Sequence, residues 1–209
     1  MLAGTNGAGK SSIGGAMVRQ HRGHYFNPDE AAARLRAANR GITVEAANGA
    51  AWLEGKRLLE KAIAGRLDWV FETTLGGETI TALLESAVSR GFELSIWYAG
   101  LSSPELHIAR VRARVAKGGH DIPERMIRKR YDAGRLNLIR LLPKLTELRV
   151  YDNSAEADPD EGHAPSPVLV LHVDRGRIAG GALAQTPGWA KPIVAAALKR
   201  FGPGATARK

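Results

Sequence analysis

Cysteine is absent from the chain, which excludes a disulfide framework, a thiolate metal site and a cysteine nucleophile. No apolar run approaches the ~18 residues of a membrane-spanning helix. No charged-then-apolar leader precedes the first motif either, so the expected location is the cytoplasm, with no membrane partner. Internal repeats are also missing, so a solenoid or array is not expected. Aromatic residues make up only 6% of the chain and accompany no RNA-binding motif, which ranks nucleic acid well behind small-molecule partners.

The sequence has 209 residues, of which 44% are apolar and 24% charged, the profile of one globular domain with a proper core. Thirty Lys and Arg against 21 Asp and Glu leave a formal charge of +9 and a pI near 10.2. Such a surplus reads either as attraction for a polyanion or as a well-solvated arginine-rich surface.

The most informative stretch is MLAGTNGAGKSS, Met1 to Ser12, in which Gly4, Gly9, Lys10 and Ser11 fill the pattern G-x-x-x-x-G-K-[ST]. Glycines admit backbone conformations closed to residues with a Cβ, so successive N–H groups can converge on one anion. The helix expected from about Ser12 to Gln20 adds its unpaired N–H groups and the positive end of its dipole. Gly4, Thr5, Asn6, Gly7, Ala8, Gly9, Lys10, Ser11 and Ser12 are therefore the candidate ATP-binding residues. Lys10 would reach the β- and γ-phosphates, and the Ser11 hydroxyl would ligate Mg²⁺. The strand ahead of the loop is only Met1 to Ala3, short against the ~5–6 residues of an ordinary strand. No segment has four apolar residues ending in Asp, so a second dedicated magnesium carboxylate is not expected.

Downstream, strand-like and helix-like segments alternate. Strands are expected at His24–Phe26, Trp69–Phe71, Phe92–Tyr98 and Glu147–Tyr151, the third with alternating faces. Helices are expected over Ala31–Ala38, Glu45–Ala64 and Thr79–Ser89. Ser102, Ser103, Pro104 and Glu105 open another that ends at Gly118 and Gly119. Asp121 and Glu124 are expected to cap the next, which runs to about Leu142. Residues 155–167 read as a loop, Val168–Val173 and Arg177–Ala179 as a hairpin, and Pro192–Phe201 as a last helix. The fold class is α/β, a P-loop NTPase-type parallel sheet flanked by helices, with a helical lid over about 103–142 and a C-terminal β-hairpin. Residues 1–201 form the single domain and 202–209 a disordered tail.

Ligands of such sheets sit beyond the carboxyl ends of the strands. Asp29, Glu72 with Thr74, and Asp152 with Asn153 fall at those ends. Asp29 suits a general base that takes the proton of an attacking hydroxyl, although Asn27 or Asp29 could equally start the next helix as its cap. Glu72 and Thr74 suit acceptor hydroxyls, or a cap and a strand end. Asn153 suits the adenine or ribose, or only a turn. Around Gly118–His120 the helices are dense in arginine: Arg110, Arg112, Arg114, Arg125, Arg128, Arg130 and Arg135. Phosphoryl transfer needs such charge, and Arg114, on the face nearest the glycine hinge, is the first choice for catalysis. Arg110, Arg128 and His120 are the further substrate candidates, against a background of ordinary solvated helix faces.

The segments GTNGAGKSS, YFNPDE, FETTLGG, LSSPELHIARVRARVAKGGHDIPE and VYDNS, read in this order and spacing over residues 1–154, resemble the zeta-toxin-like P-loop kinases. The zeta toxins themselves are ATP-dependent UDP-N-acetylglucosamine kinases. The resemblance implies Lys10 and Ser11 on ATP and Mg²⁺, Asp29 as base, Glu72 and Thr74 at the acceptor, and lid arginines on the phosphates. It also implies a nucleotide-sugar acceptor and an antitoxin protein as candidate partners. The toxins carry different residues where this chain has FNPDE and HDIPE, so the acceptor is the least transferable element. The competing reading is an ATP-binding switch or nucleic-acid-binding P-loop protein without small-molecule kinase activity.

Overall fold

The computed structural model describes residues 1–10, 13–14, 25–119, 121–155 and 166–202. Ser11, Ser12, His120 and most of the expected helix Ser12–Gln20 lie outside the described residues, Ile13 and Gly14 being its two described, helical positions. The expected loop is described only at its ends, and the tail only at Gly202.

Seven strands form one sheet: β1 Leu2–Ala3, β2 Tyr25–Phe26, β3 Val70–Thr73, β4 Ser95–Gly100, β5 Glu147–Asp152, β6 Val168–Asp174 and β7 Arg177–Gly180. Their order across the sheet is β2-β3-β1-β4-β5-β6-β7. The first five run parallel, and β6 and β7 are added antiparallel at one edge. The helices are α1 Pro28–Ala38, α2 Val44–Gly65, α3 Glu78–Ser89, α4 Pro104–Ala116, α5 Glu124–Leu141 and α6 Lys191–Phe201. The architecture is thus the expected α/β sheet with a hairpin.

The two-residue β1 lies in the middle, with Leu2 in register with Glu72 of β3 and with Trp97 of β4. Ladders on both sides fix its backbone, which is how so short a strand holds the loop that follows it. The alternation expected from Phe92 does not survive: β4 begins at Ser95, and every later residue of it is buried. Helices cover both faces of a parallel sheet, so both sets of side chains are apolar. Ile96 and Tyr98 enter the main core, while Trp97 and Ala99 enter a second cluster with Leu2, Ala8 and Ile13 on the opposite face.

Asn27 caps α1, its side chain accepting from the amides of Asp29 (2.9 Å) and Glu30 (3.4 Å). Ser103 caps α4 as expected, accepting from the Leu106 amide. The cap expected at Asp121 is not made. Pro123 restricts the residue before it to extended backbone, so α5 starts only at Glu124, and Asp121 accepts from Ile122 instead. Arg175 (φ 44°) and Gly176 (φ 73°) form the two-residue turn between β6 and β7, the left-handed pair that a tight hairpin requires.

Helix α5 belongs to two packing units. Tyr131, Leu138 and Leu141 are buried in the main core, whereas Ile127 joins Ile108, Val111 and Ile122 in a small cluster shared with α4. Among the described residues, no helix is long and apolar enough to cross a membrane. Leu148, fully buried in the main core on β5, is a test of this packing. Leu148→Ala is expected to cost about 2–5 kcal/mol of stability, read as a lowered denaturant midpoint.

Candidate active site

The loop after β1 is shaped by glycine. Gly4 has φ 142°, and a Cβ there would lie 2.2 Å from the Ala99 carbonyl oxygen, so only glycine lets the loop leave the sheet at this point. Gly7 has φ 83°, and a Cβ on it would meet the His107 carbonyl oxygen at 2.7 Å, so α4 is seated directly against the loop. From the far side of the sheet end, Asn153 donates from Nδ2 to the Ala8 carbonyl (3.0 Å). Of the loop's candidates, Thr5, Asn6 and Ala8 are buried, and Lys10 curls back to donate to the Gly4 carbonyl at 3.0 Å.

Burial pulls the Lys10 pKa down; the carboxylates of Glu72 and Asp29 oppose that shift, and the guanidinium groups of Arg114 and Arg130 reinforce it. Glu72, itself buried, accepts a hydrogen bond from the Tyr25 hydroxyl of the neighbouring strand. That contact and burial push the Tyr25 phenol well above its usual range, so it remains a donor. Asp29 sits in the first turn of α1, and its Oδ2 lies 3.3 Å from Nη1 of Arg114. Arg130 reaches from α5 to donate to Asn6 Oδ1 at 2.8 Å. Burial lowers the Arg130 pKa, and Asp29 acts against that.

Asp29, Glu72 and Arg130 border a cavity of about 330 Å³. Asn6, Asp29, Glu72, Thr74 and Arg130 line its loop-facing side, and Trp52, Lys56 and Lys129 the opposite walls. Trp52 is 45% exposed.

The sequence candidates are thus divided. Asp29, Arg114, Glu72, Thr74, Lys10 and Asn153 gather around one end of the sheet. Arg110, whose Cβ lies beside Gly7 of the loop, donates to the Ala155 carbonyl (3.1 Å), and Arg128 pairs with Glu105 on an exposed surface (2.6 Å). Arg112 and Arg140 are likewise paired with carboxylates, Glu124 in the first case and Glu78 and Glu85 in the second. Ser11, Ser12 and His120 lie outside the described residues.

Arg130 is one of the seven arginines around Gly118–His120, and nothing in the sequence singles it out. The aromatic wall at Trp52 gave only a helix-core signal, and His107, buried beside the loop, gave no signal beyond its place next to the apolar stripe of α4. Among the described residues, no group of three or more His, Cys, Asp or Glu forms a cage for a metal. The glycine loop, a half-buried ammonium and two guanidiniums instead suit a polyanion that brings its own magnesium, since that ion keeps phosphate and water ligands.

Comparison with known proteins agrees with this geometry. The family model described as Zeta toxin matches residues 1–158. A protein of Haemophilus influenzae described as uncharacterized is 29% identical over 133 residues, covering 61% of this chain and 88% of its own. A chain of the AvrRxo1-ORF1:AvrRxo1-ORF2 complex, solved with sulphate ions and with ATP, superposes with a TM-score of 0.65 at 16% identity over 100% of this chain. This chain spans only 64% of that one. A chain of the PezAT toxin–antitoxin system of Streptococcus pneumoniae gives a TM-score of 0.54 at 16% identity, over 96% of this chain and 76% of its own. At such identities the solved structures establish the shared fold.

Burial lowers the His107 pKa from 6.5 to about 4, with Lys10, Arg110 and Arg135 adding to the effect and its bond to Asn6 opposing it. The folded chain then binds this proton less readily than the unfolded chain does. Stability from this group is complete above about pH 6.5 and is lost progressively as pH falls toward about 4. Denaturation midpoints taken across that interval should fall for the unmodified chain and fall less for His107→Asn.

Proposed function

Since the chain belongs to the zeta toxin family, we propose that it is an ATP-dependent phosphotransferase moving the γ-phosphate to a hydroxyl of a small acceptor, a UDP-N-acetyl sugar being the first candidate. The observation that carries the reading is the convergence of Lys10, Asp29, Glu72, Arg114 and Arg130 around the glycine loop, beside a cavity open to a second substrate.

The division of labour follows from the positions. Loop amides and Lys10 hold the β- and γ-phosphates. Asp29 takes the proton of the acceptor hydroxyl as its oxygen bonds to the γ-phosphorus; the β–γ bridging bond breaks and ADP departs with the electron pair. Glu72, fixed by Tyr25, and Thr74 orient the acceptor hydroxyls. Arg114 and Arg130 face the charge that spreads over the transferring group. Ser11 is the side chain that would hold Mg²⁺, which when bound neutralises phosphate charge. The segment of α4 and the first part of α5 is the proposed lid, because its small cluster of Ile108, Val111, Ile122 and Ile127 packs apart from the main core.

The presence of ATP in one structural relative, and the origin of another in a toxin–antitoxin system, support the same reading, with an antitoxin-like protein as a candidate partner. Pairing of Arg112, Arg128 and Arg140 with carboxylates breaks up what would otherwise be an open basic stripe for nucleic acid.

Lys10→Ala is expected to abolish ATP binding in calorimetry. Asp29→Asn should bind ATP as the unmodified chain does yet transfer phosphate about 10²–10⁴-fold more slowly. Mass spectrometry of a metabolite extract incubated with enzyme and ATP identifies the acceptor; full transfer by Asp29→Asn would remove the base assignment.

A further inference from the structure

We infer that His107 is a positioning residue for the phosphate cradle: its ring N–H holds the Asn6 carbonyl and so turns the Gly7 amide toward the bound phosphates. The inference rests on reading the glycine loop as a triphosphate site, and adds to it a residue 101 positions away in sequence.

Nδ1 of His107 lies 2.9 Å from the Asn6 carbonyl oxygen. A carbonyl oxygen only accepts, so Nδ1 carries the hydrogen, and the neutral ring is left with a bare Nε2. Depression of the His107 pKa to about 4 keeps the ring neutral at neutral pH. The Asn6–Gly7 peptide is trans, and in a trans unit the C=O and the following N–H point in opposite directions. A carbonyl tied to α4 therefore directs the Gly7 amide away from α4. Gly7 is the fourth residue of the G-x-x-x-x-G-K-S loop, where an inward amide meets the phosphate chain. Were this peptide to flip, a carbonyl would face the phosphates in place of a donor.

The bond is built to persist. His107 is 1% exposed, and its ring packs edge-on against Tyr131 with centroids 5.6 Å apart. The Tyr131 hydroxyl in turn donates to the Ser102 carbonyl at 3.2 Å, just ahead of α4. The Asn6 side chain is taken separately by Arg130. One loop residue is thus gripped through its backbone by α4 and through its side-chain amide by α5.

The test measures Mg²⁺·ATP affinity of the full chain by calorimetry, with thermal unfolding alongside. His107→Leu should weaken binding about tenfold, the size of one lost hydrogen bond. His107→Asn, whose amide nitrogen falls near the Nδ1 position, should restore affinity close to that of the unmodified chain. In ¹⁵N spectra of the unmodified chain, the Gly7 amide should shift when Mg²⁺ and a non-hydrolysable ATP analogue are added, a readout that needs no variant to fold. Undiminished affinity in His107→Leu, equal losses in the Leu and Asn variants, or an unmoved Gly7 amide would each overturn the assignment to His107 alone. Failure of the unmodified chain to bind Mg²⁺·ATP would instead overturn the kinase reading on which it rests.

Discussion

An ammonium group held against a glycine loop is the constraint from which the rest of the structure follows. Lys10 is half-buried, and Arg114 and Arg130 press their own charge upon it. Desolvation and like charge both disfavour the cation, and the carboxylates of Glu72 and Asp29 oppose them. A site with this balance is completed by an anion. The triphosphate that would complete it also supplies the reacting group, so binding and chemistry draw on the same electrostatic need.

Holding that arrangement requires unusual economy in the sheet. A two-residue strand sits between two parallel neighbours and carries the loop to the sheet's carboxyl end, where Glu72 and Asn153 also emerge. Asn27 takes over the capping of α1, so the Asp29 carboxylate is turned to Arg114 and the cavity rather than to the helix's own amides. Gly134 lets α5 approach the Thr74 carbonyl, where a Cβ would stand only 2.9 Å from that oxygen. Helix α5 therefore serves as a rigid strut, anchored in the main core at Leu138 and reaching the cradle at Arg130.

Much of the fold was legible from residues near one another in sequence. The glycine-lysine-serine spacing, the Ser103–Pro104 start of α4 and the Arg175–Gly176 turn are set by backbone conformation over a few residues, and such signals are local. The errors came where local signals compete. Asp121 looks like a cap until Pro123 restricts the residue before it, and the alternation along β4 means little once helices bury both faces. Strand-end placement was enough to bring Asp29, Glu72, Thr74 and Asn153 together, because a parallel sheet collects its strand ends on one edge.

Choosing among the arginines was beyond any such rule. Arg128 and Arg130 are two residues apart on one helix, and a turn of about 200° sends the first to Glu105 on the surface and the second to Asn6 in the loop. The sequence by itself determined that a phosphate-gripping loop opens the chain and that polar groups follow its parallel strands, for these depend on short-range geometry. Which cations meet that loop, and that a buried histidine braces it from behind, were decided by tertiary packing, because those contacts join residues more than 100 positions apart. Spacing along a chain carries no record of them until the helices are seated.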